Sequence, residues 1–374
     1  MKKRSRGAAA LEAAVVFILV FVTSFYDVFY SFDCLLRDKL YQSPRGINNK
    51  IKIIAIDDET LNRYGPFGTW SRSVYADIIN TLGDSPAAIA FDIMIFGNMD
   101  EEGDEALKKA CADNGKIVAG SYINYSSAVK TNSSGNMYID HFNIDTVEMP
   151  IITDSCITGF VNATADSDGI VRSAFLSQSS PDVEGGAEFR SLALETYSMY
   201  CRNTGTAENI PSLDENGRMW INYAGRPGDY EHISLCSVLD GSVDPRIFTD
   251  CIVVIGAYAS GLQDQFSVPN SSDQMFGAEI HANIIQALID GKCPVPADRF
   301  ISSLAAALAA AALYIVFMNA KLKISAASAV AGSAAYAAAG IFLNSSGTTV
   351  PVLYAPLFIL LGFFVNLGRK IPAE

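Results

Sequence analysis

Four long apolar segments, which bracket a single acidic region, constrain this chain more than any other feature. They occupy residues 8–26, 299–319, 324–343 and 350–367. A helix of about 20 apolar residues crosses the hydrocarbon core of a bilayer. The sequence therefore predicts an all-α membrane part of four transmembrane helices, and one large domain at residues 27–298.

Basic residues cluster at alternating ends of these segments, which determines the predicted orientation. The clusters precede the first segment, separate the second from the third and follow the fourth, at Lys2, Lys3, Arg4, Arg6, Lys321, Lys323, Arg369 and Lys370. Cytoplasmic flanks of membrane helices carry an excess of Lys and Arg. Four spans place every cluster in the cytoplasm, together with residues 1–7 and 368–374, and place residues 27–298 outside it. The chain is thus predicted to be a multi-pass membrane protein whose large domain lies outside the cytoplasm.

The first segment is also compatible with a cleaved signal peptide. Its apolar part is long, and bulky residues such as Tyr26 and Phe29 follow it, where a cleavage site would need small ones. An uncleaved membrane anchor is the interpretation that we favour.

Charge and cysteine usage argue against several classes of protein. The net charge of −13 opposes nucleic-acid binding, because a phosphate-binding surface needs a basic stripe. The seven cysteines are an odd number and form no CxxC motif, so neither a complete disulfide framework nor a zinc site is expected. We predict no metal and no cofactor.

Residues 51–120 alternate between strand and helix patterns. Apolar strands are predicted at residues 51–57, 87–96 and 116–120, with helices at residues 72–82 and 100–114. Continuous apolar strands separated by helices are typical of a mostly parallel sheet that helices cover on both faces. The predicted fold of the large domain is therefore α/β.

The remainder of the domain is less regular. Residues 121–156 are polar and poorly periodic, which predicts a long excursion over the surface. Further strands are predicted at residues 158–161, 170–176, 219–223 and 252–255. Further helices are predicted at residues 189–201, at residues 233–239 and from about residue 280 to Gly291.

Carboxylates accompany three of the predicted strands. Asp57 and Asp58 come after the first, Asp92 lies inside the second, and Asp264 is downstream of the strand at residues 252–255. Ligands of open α/β sheets bind outside the carboxyl ends of the strands. The carboxylates could converge there on a polar pocket for a cation or an amine-bearing ligand. The alternative is that they cap helices and turns, as Asp often does.

Two polar residues near the start of the last helix of the domain, His281 and Asn283, complete the candidate ligand-binding set. They alternate with Glu279 in the stretch FGAEIHANIIQAL. The chain has no HExxH pair, so the pattern favours a hydrogen-bonding role at the helix start, towards a loop, over metal ligation.

No catalytic motif accompanies these residues. The segment Asp166–Gly169 begins like a calcium loop, but Val171 and Ser177 stand where such a loop needs Gly and Glu, so a turn is predicted. Ser260 lacks the GxSxG elbow of a serine hydrolase, and the sequence contains no phosphate-binding loop. We therefore expect a chain without enzymatic activity of its own.

Several stretches together resemble one known family, the extracytoplasmic CHASE domains of the second type, which are associated with cyclases and histidine kinases. The stretches are IKIIAIDDETL, Trp70-Ser71-Arg72, FDIMIF at residues 91–96, DEAL at residues 104–107, GFVN at residues 159–162, DSDGIVR at residues 166–172, Ile255-Gly256-Ala257 with Asp264, and GAEIHAN at residues 277–283. The resemblance covers about residues 30–295. Ser71 departs from it, since the family usually has Pro after the Trp.

The resemblance implies a signal-input domain that follows one membrane helix and usually precedes three more. It also implies a cytoplasmic output domain, such as a nucleotide cyclase or a kinase, which would lie beyond Glu374 or on a partner protein. Besides the bilayer, the expected partners are a second copy of the chain, as a homodimer, and an unidentified small-molecule or envelope ligand. The alternatives are a membrane-anchored extracytoplasmic hydrolase that uses the strand-end carboxylates, and a ligand-free membrane scaffold.

Overall fold

The computed structural model describes residues 6–42, 44–131, 137–179, 188–213 and 217–370. The chain divides into two compact units. The α/β unit is Pro44–Cys293, and the helical unit consists of Met1–Ser43 and Pro294–Glu374.

Helices make up most of the helical unit and form the crossovers of the α/β unit. In chain order the described helices are α1 (Arg6–Phe25), α2 (Tyr30–Tyr41), α3 (Asp58–Tyr64), α4 (Ser73–Leu82), α5 (Glu101–Asn114), α6 (Leu192–Thr204), α7 (Leu235–Leu239), α8 (Gly277–Asp290), α9 (Arg299–Asn319), α10 (Leu322–Ser345) and α11 (Tyr354–Lys370). Short 3-10 turns lie at Phe67–Thr69, Pro245–Phe248 and Ser260–Leu262.

Strands lie almost entirely in the α/β unit. In chain order the described strands are β1 (Ile51–Ile56), β2 (Ala88–Met94), β3 (Ile117–Thr131), β4 (Met137–Glu148), β5 (Ile157–Phe160), β6 (Ser173–Phe175), β7 (Ser177–Ser179), β8 (Glu188–Arg190), β9 (Arg218–Trp220), β10 (His232–Ser234), β11 (Ile252–Ala257), β12 (Gln265–Phe266), β13 (Met275–Phe276), β14 (Val295–Pro296) and β15 (Thr348–Thr349).

The main sheet has the strand order β10-β1-β11-β2-β3, and neighbours in this run are parallel. β5 also pairs in parallel with the first part of β3, whereas β4 pairs with its second part in the antiparallel direction. The α/β class and the mostly parallel sheet that the alternation predicted are confirmed.

Both faces of this sheet are covered, which explains why its strands are apolar throughout. In β1, Ile51 and Ile53 pack in a core with residues of α6 and α8, while Ile54 and Ile56 pack in a second core with residues of α4, α5 and α7. All six residues of β1 are buried. They include Lys52, whose ammonium group extends out of the core and pairs with Glu231.

Residues 121–156 do not form the surface excursion that their polarity predicted. β3 runs on to Thr131, and its second part pairs with β4 as a long antiparallel ladder. Register shifts near Tyr125 and Ala128 interrupt the alternation of side chains in this ladder. Because such irregularities change the face to which successive side chains belong, the sequence lacks the period of two by which a strand is recognised.

Three further segments differ from the predictions in type or extent. The first two residues of the helix predicted at residues 233–239 belong to β10, the edge strand of the main sheet, and only the remaining five form α7. α3 directly follows β1, where no helix was predicted between residues 57 and 72. The strands predicted at residues 170–176 and 219–223 shorten to β6 and β9, which pair with each other outside the main sheet.

The Asp166–Gly169 segment is a turn, as predicted, and its carboxylates bind an arginine. Arg172 donates hydrogen bonds to Oδ2 of Asp166 at 3.0 Å and to the two carboxylate oxygens of Asp168 at 2.8 and 2.9 Å. The side chain of Arg172 is 1% exposed. One buried guanidinium therefore binds both acids of this turn.

The helical unit offers fewer membrane spans than the four predicted. By length and hydropathy α9 and α10 can each cross a bilayer, and α1 with α2 forms a pair, bent by 80°, that counts as one further span at most. α11 has 17 residues and is too short by the same criterion. The described residues thus contain two such helices, or three with the bent pair.

The shortness of α11 has a local cause. Its apolar segment begins at Val350, but the N–H groups of Val352 and Leu353 donate to Oδ1 of Asp33, at 2.7 and 2.8 Å, before the helix starts at Tyr354. The apolar run is therefore longer than the helix that it contains.

Polar side chains join helix ends within this unit. Tyr314 donates a hydrogen bond to Oε2 of Glu12 at 2.9 Å, and Arg369 donates to the same oxygen at 2.7 Å. These residues lie near the start of α1, towards the end of α9 and at the end of α11. Ser303, near the start of α9, donates to Ser24, near the end of α1, at 3.1 Å. α1 and α9 therefore run antiparallel.

Replacement of Arg172 by Leu is expected to destabilise the α/β unit. The substitution leaves the carboxylate of Asp166, which is 6% exposed, without its counter-charge, and breaking a buried pair in this way costs about 3–5 kcal/mol. Both tryptophans, Trp70 and Trp220, belong to the α/β unit. Thermal unfolding of the full chain in detergent, followed by tryptophan fluorescence, should show a lower midpoint.

Arg246→Leu is the matched control for this experiment. The side chain of Arg246 is 86% exposed, and its pair with Asp244 lies on the surface, where ion pairs contribute little. Its midpoint should equal that of the wild type. Equal midpoints for the Arg172→Leu variant and the wild type would show that the buried pair does not stabilise the unit.

Candidate ligand-binding site

A cavity of about 340 Å³ lies at the carboxyl-end edge of the main sheet. The ends of β2 and β11, the loops that follow β5 and β11, and the first turns of α8 surround it. Its polar lining consists of Asp92, Tyr122, Asn162, Gln263, Asp264 and His281. Three of the six residues predicted as ligand-binding, Asp92, Asp264 and His281, therefore meet at one place.

A glycine brings Asp92 and His281 together. Asp92 in β2 lies opposite Gly256 in β11. A β-carbon at Gly256 would approach the β-carbon of Ala278 in α8 to 3.0 Å and that of Asp92 to 3.3 Å, so only glycine lets α8 pack this closely. As a result Nε2 of His281 lies 3.5 Å from Oδ1 of Asp92, and each side chain is only 8% exposed.

A second glycine admits Asp264. The backbone N–H of Gly277, the first residue of α8, donates to the carbonyl oxygen of Asp264 at 3.1 Å. A β-carbon at Gly277 would lie 2.5 Å from Oδ2 of Asp264. Any other residue at the start of α8 would therefore displace this carboxylate from the cavity wall.

The three titratable groups are shifted by burial. Burial raises the pKa of the Asp92 carboxyl to about 7. Burial, and secondly the charge of Asp92, raise the pKa of Asp264 to about 7 as well. Burial lowers the pKa of His281 to about 4, against the attraction of Asp264. The imidazole is therefore uncharged at neutral pH, where both carboxyls titrate.

Asp57 and Asp58 lie elsewhere, so the convergence predicted for the strand-end carboxylates is only half right. Oδ1 of Asp57 accepts hydrogen bonds from the backbone N–H of Thr60 at 2.9 Å, from its hydroxyl at 2.7 Å and from the hydroxyl of Ser234 at 2.8 Å. Asp57 is the N-cap of α3, and Asp58 is an exposed residue of its first turn. The capping alternative holds for this pair.

Asn283 is buried and holds a loop rather than lining the cavity. Its Oδ1 accepts hydrogen bonds from the N–H groups of Ala224 and Gly225, at 2.9 and 3.1 Å. Glu279, one helical turn earlier, accepts from the N–H of Gly228 at 2.7 Å. Residues four apart share a helix face, whereas His281 between them lies on the opposite one, which explains why it lines the cavity and Glu279 and Asn283 do not.

Several residues that line the cavity were not predicted from the sequence. Asn162 and Tyr122 contribute polar groups, and Asn162 is held in place by hydrogen bonds to the backbone N–H and carbonyl of Ile123, at 2.9 and 2.8 Å. An apolar wall includes Phe67 and Leu262, which come from 3-10 turns without any period. The only available signal for Asn162 was its place in the GFVN stretch.

The cavity is not arranged as a metal centre. Within the described ranges, no group of three or more His, Cys, Asp and Glu side chains is placed to hold a metal ion. The two carboxyls and the imidazole are instead suited to hydrogen bonding and to charge pairing with a molecule that has several donors.

The family model for the CHASE2 domain matches residues 13–320. This chain belongs to the CHASE2 family. The resemblance found in the sequence is thereby confirmed, and the matched CHASE2 region contains the whole α/β unit. CHASE2 domains are sensory extracellular domains of membrane proteins, so a ligand and a signalling partner are implied. No curated protein and no solved structure matches the chain.

The pKa values near 7 predict how the stability of this CHASE2 domain depends on pH. A carboxyl whose pKa is higher in the folded state than the ordinary 3.8 keeps its proton longer when folded, so its contribution to stability falls between about pH 4 and pH 7. Asp92→Asn removes this loss. As the pH rises through that window, the free energy of unfolding of the variant should increase relative to that of the wild type. The difference should reach a few kcal/mol, at about 1.4 kcal/mol per pKa unit, and should level off above pH 7.

Hydrogen exchange of β2 and β11 amides in the full chain, compared at each pH, measures this difference. The imidazole of His281 acts in the opposite direction, because its lowered pKa makes stability rise between about pH 4 and its ordinary value of 6.5. That effect is present in both proteins and largely cancels in the comparison. A difference between variant and wild type that does not change with pH would contradict the raised pKa.

Proposed function

We propose that the chain is the signal-input part of a membrane receptor. The α/β unit binds a small ligand outside the cytoplasm, and the membrane helices relay this event to a cytoplasmic output such as a nucleotide cyclase or a kinase. One observation carries the proposal beyond the family: α8, whose His281 lines the cavity, is separated from the apolar helix α9 only by residues 291–298.

The proposed mechanism is a shift between two arrangements of the α/β unit. Glu279 and Asn283 bind α8 to the loop at residues 224–228, so this helix and loop move as one piece. The connection to α9 contains Pro294 and Pro296, which restrict its backbone. A ligand that displaces α8 would therefore also displace the start of α9.

The proposal includes four membrane crossings, with the α/β unit outside the cytoplasm. Two observations support it. The basic clusters fall on one side only with four spans. In the helical unit the start of α1 and the ends of α9 and α11 meet through Glu12, Tyr314 and Arg369, which is the arrangement that four alternating spans require. The bacterial inner membrane is the location that we propose.

The proposal also includes a homodimer and an output domain or partner. Relative movement of helices between two copies can carry a signal across a bilayer without a change in either fold.

A hydrolase is the second candidate, because carboxyls with a pKa near 7 are suited to acid–base chemistry. Among the described residues, the cavity is lined by no Ser, Thr or Cys side chain, so a carboxylate would have to activate water. This alternative predicts a hydrolytic activity that Asp92→Ala abolishes while the fold is retained.

The topology can be tested by labelling single introduced cysteines with a membrane-impermeant maleimide. Ala207→Cys and Ser346→Cys should be labelled from outside, and Asn319→Cys and Gly368→Cys only after the membrane is permeabilised. All four positions are exposed. The seven native cysteines are buried or half-buried, so the unsubstituted chain provides the background. Labelling of Asn319→Cys from outside would rule out the four-span arrangement.

Signalling through the cavity can be tested by filling it. Ala163 lines the cavity, and Ala163→Trp places an indole where a ligand would lie. A nucleotide cyclase domain is fused after Glu374. In cells that express the unsubstituted fusion, the cyclic nucleotide level should differ between rich and minimal medium. In cells that express the Ala163→Trp fusion, the cyclic nucleotide level should be the same in both media.

Ala207→Trp, at an exposed position, is the control and should respond to the medium as the wild type does. If the Ala163→Trp fusion also responded like the wild type, the cavity would have no part in signalling.

A further inference from the structure

The geometry points to a small organic cation, a primary amine or guanidinium with an apolar body, as the ligand of the cavity beside Asp92 and Asp264. This inference rests on the proposed sensor function and names the chemical class of its ligand.

The first argument is that the cavity presents acids without a base. Asp92 and Asp264 line it, and no Lys or Arg in the described part of the chain does. The imidazole of His281 is uncharged at neutral pH, because burial lowers its pKa to about 4. A cation is therefore the ligand charge that the lining favours, and an anion would meet two carboxylates.

The second argument is an unsatisfied oxygen. Oδ2 of Asp92 is buried, and it has no hydrogen-bond partner among the residues that the structure describes. Buried carboxylate oxygens normally accept a hydrogen bond, and leaving one without a donor is unfavourable. An ammonium group has three N–H donors and a guanidinium has five, so a cation bound at Asp92 has donors for this carboxylate and for a second acceptor in the cavity.

The third argument concerns the apolar part of the lining. Phe67, Met94, Leu262, Phe266 and Ile280 contribute to the cavity wall. The volume of about 340 Å³ is at the lower end of the range for small-molecule sites, roughly 300–1,000 Å³. A body of one ring or one short alkyl chain suits this space, and burying it is favourable.

The same observations disfavour a bare metal ion. The described residues place no three His, Cys, Asp or Glu side chains around one point, and a hard cation takes six or more oxygen ligands. An organic cation needs only one or two carboxylates at its charged end, because its apolar body supplies the remaining contacts.

The test compares two amines with the alcohols of the same shape. Phenethylamine, 2-phenylethanol, isoamylamine and isoamyl alcohol are titrated into the full chain in lipid nanodiscs at pH 8, and binding is measured by calorimetry. At least one amine should bind at least tenfold more tightly than its alcohol. Asp92→Asn and Asp264→Asn should each weaken its binding at least tenfold.

Asp113→Asn is the matched control, because it removes the same charge from an exposed position on α5 and Asp113 does not line the cavity. It should bind the amine as the wild type does. Equal binding of an amine and its alcohol, unchanged affinity in both cavity variants, or no binding of either amine at millimolar concentration would each overturn the inference.

A measurement on the unsubstituted chain tests the inference without relying on variants, which can fail to fold. The titratable groups that face the cavity are Asp92 from β2, Tyr122 from β3, Asp264 from the loop after β11 and His281 from α8, and the pKa of the two carboxyls is about 7. Binding of a cation should therefore release protons at pH 7, and affinity should rise from pH 6 to pH 8. An affinity that does not change with pH would contradict the inference.

The two proposals fail in different ways. If neither amine binds but Ala163→Trp still suppresses the response of the cyclase fusion, the ligand class is wrong and the sensor function stands. If an amine binds but Ala163→Trp leaves the response unchanged, the cation site is real and its role in signalling is wrong.

Discussion

The burial of both faces of a parallel sheet is the constraint on which the rest of the α/β unit depends. Its strands can carry almost no polar groups along their length, and Lys52 in β1 is buried only because its ammonium reaches Glu231. Polar chemistry is therefore displaced to the ends of the strands, where Asp92 stands. The helix that covers the sheet closes this edge, because Gly256 and Gly277 allow α8 to approach. One packing requirement thus produces both the core and the cavity.

The regular part of the fold could be predicted from the sequence because its signals are local. Apolar runs mark β1, β2 and β11, and glycines end α4, α5 and α8 at residues 83, 115 and 291. The hairpin of β3 and β4 was missed for a physical reason, since two register shifts remove its alternation. In the membrane part the error is the opposite one, because the apolar composition predicts a longer helix than α11. Apolar residues before Tyr354 bind Asp33 through their backbone instead of extending α11.

The site was harder to predict, because a carboxylate near a strand end has two common uses. Asp57 is followed three residues later by Thr60, which satisfies it locally as a helix cap, and Ser234 from the distant β10 completes its set of donors. Asp92 has no such neighbour in the sequence. Its partner His281 lies far along the chain, and their proximity depends on the missing β-carbon of Gly256. Local sequence can thus identify a cap, whereas a cavity depends on packing between distant segments.

The walls of the cavity differ in how they are bonded to the rest of the α/β unit. α8 is tied by the buried side chains of Glu279 and Asn283 to the loop at residues 224–228. Another part of the wall follows the 3-10 turn Ser260–Leu262, which Gln263 ends in a left-handed conformation, with φ 56°. That conformation costs a residue other than glycine about 1–2 kcal/mol, and the backbone hydrogen bonds of Leu262 and Gln263 go to Ala259 and Ser260 within the same turn. We expect a molecule that enters or leaves the cavity to displace this turn rather than α8, so the turn limits the rate of exchange.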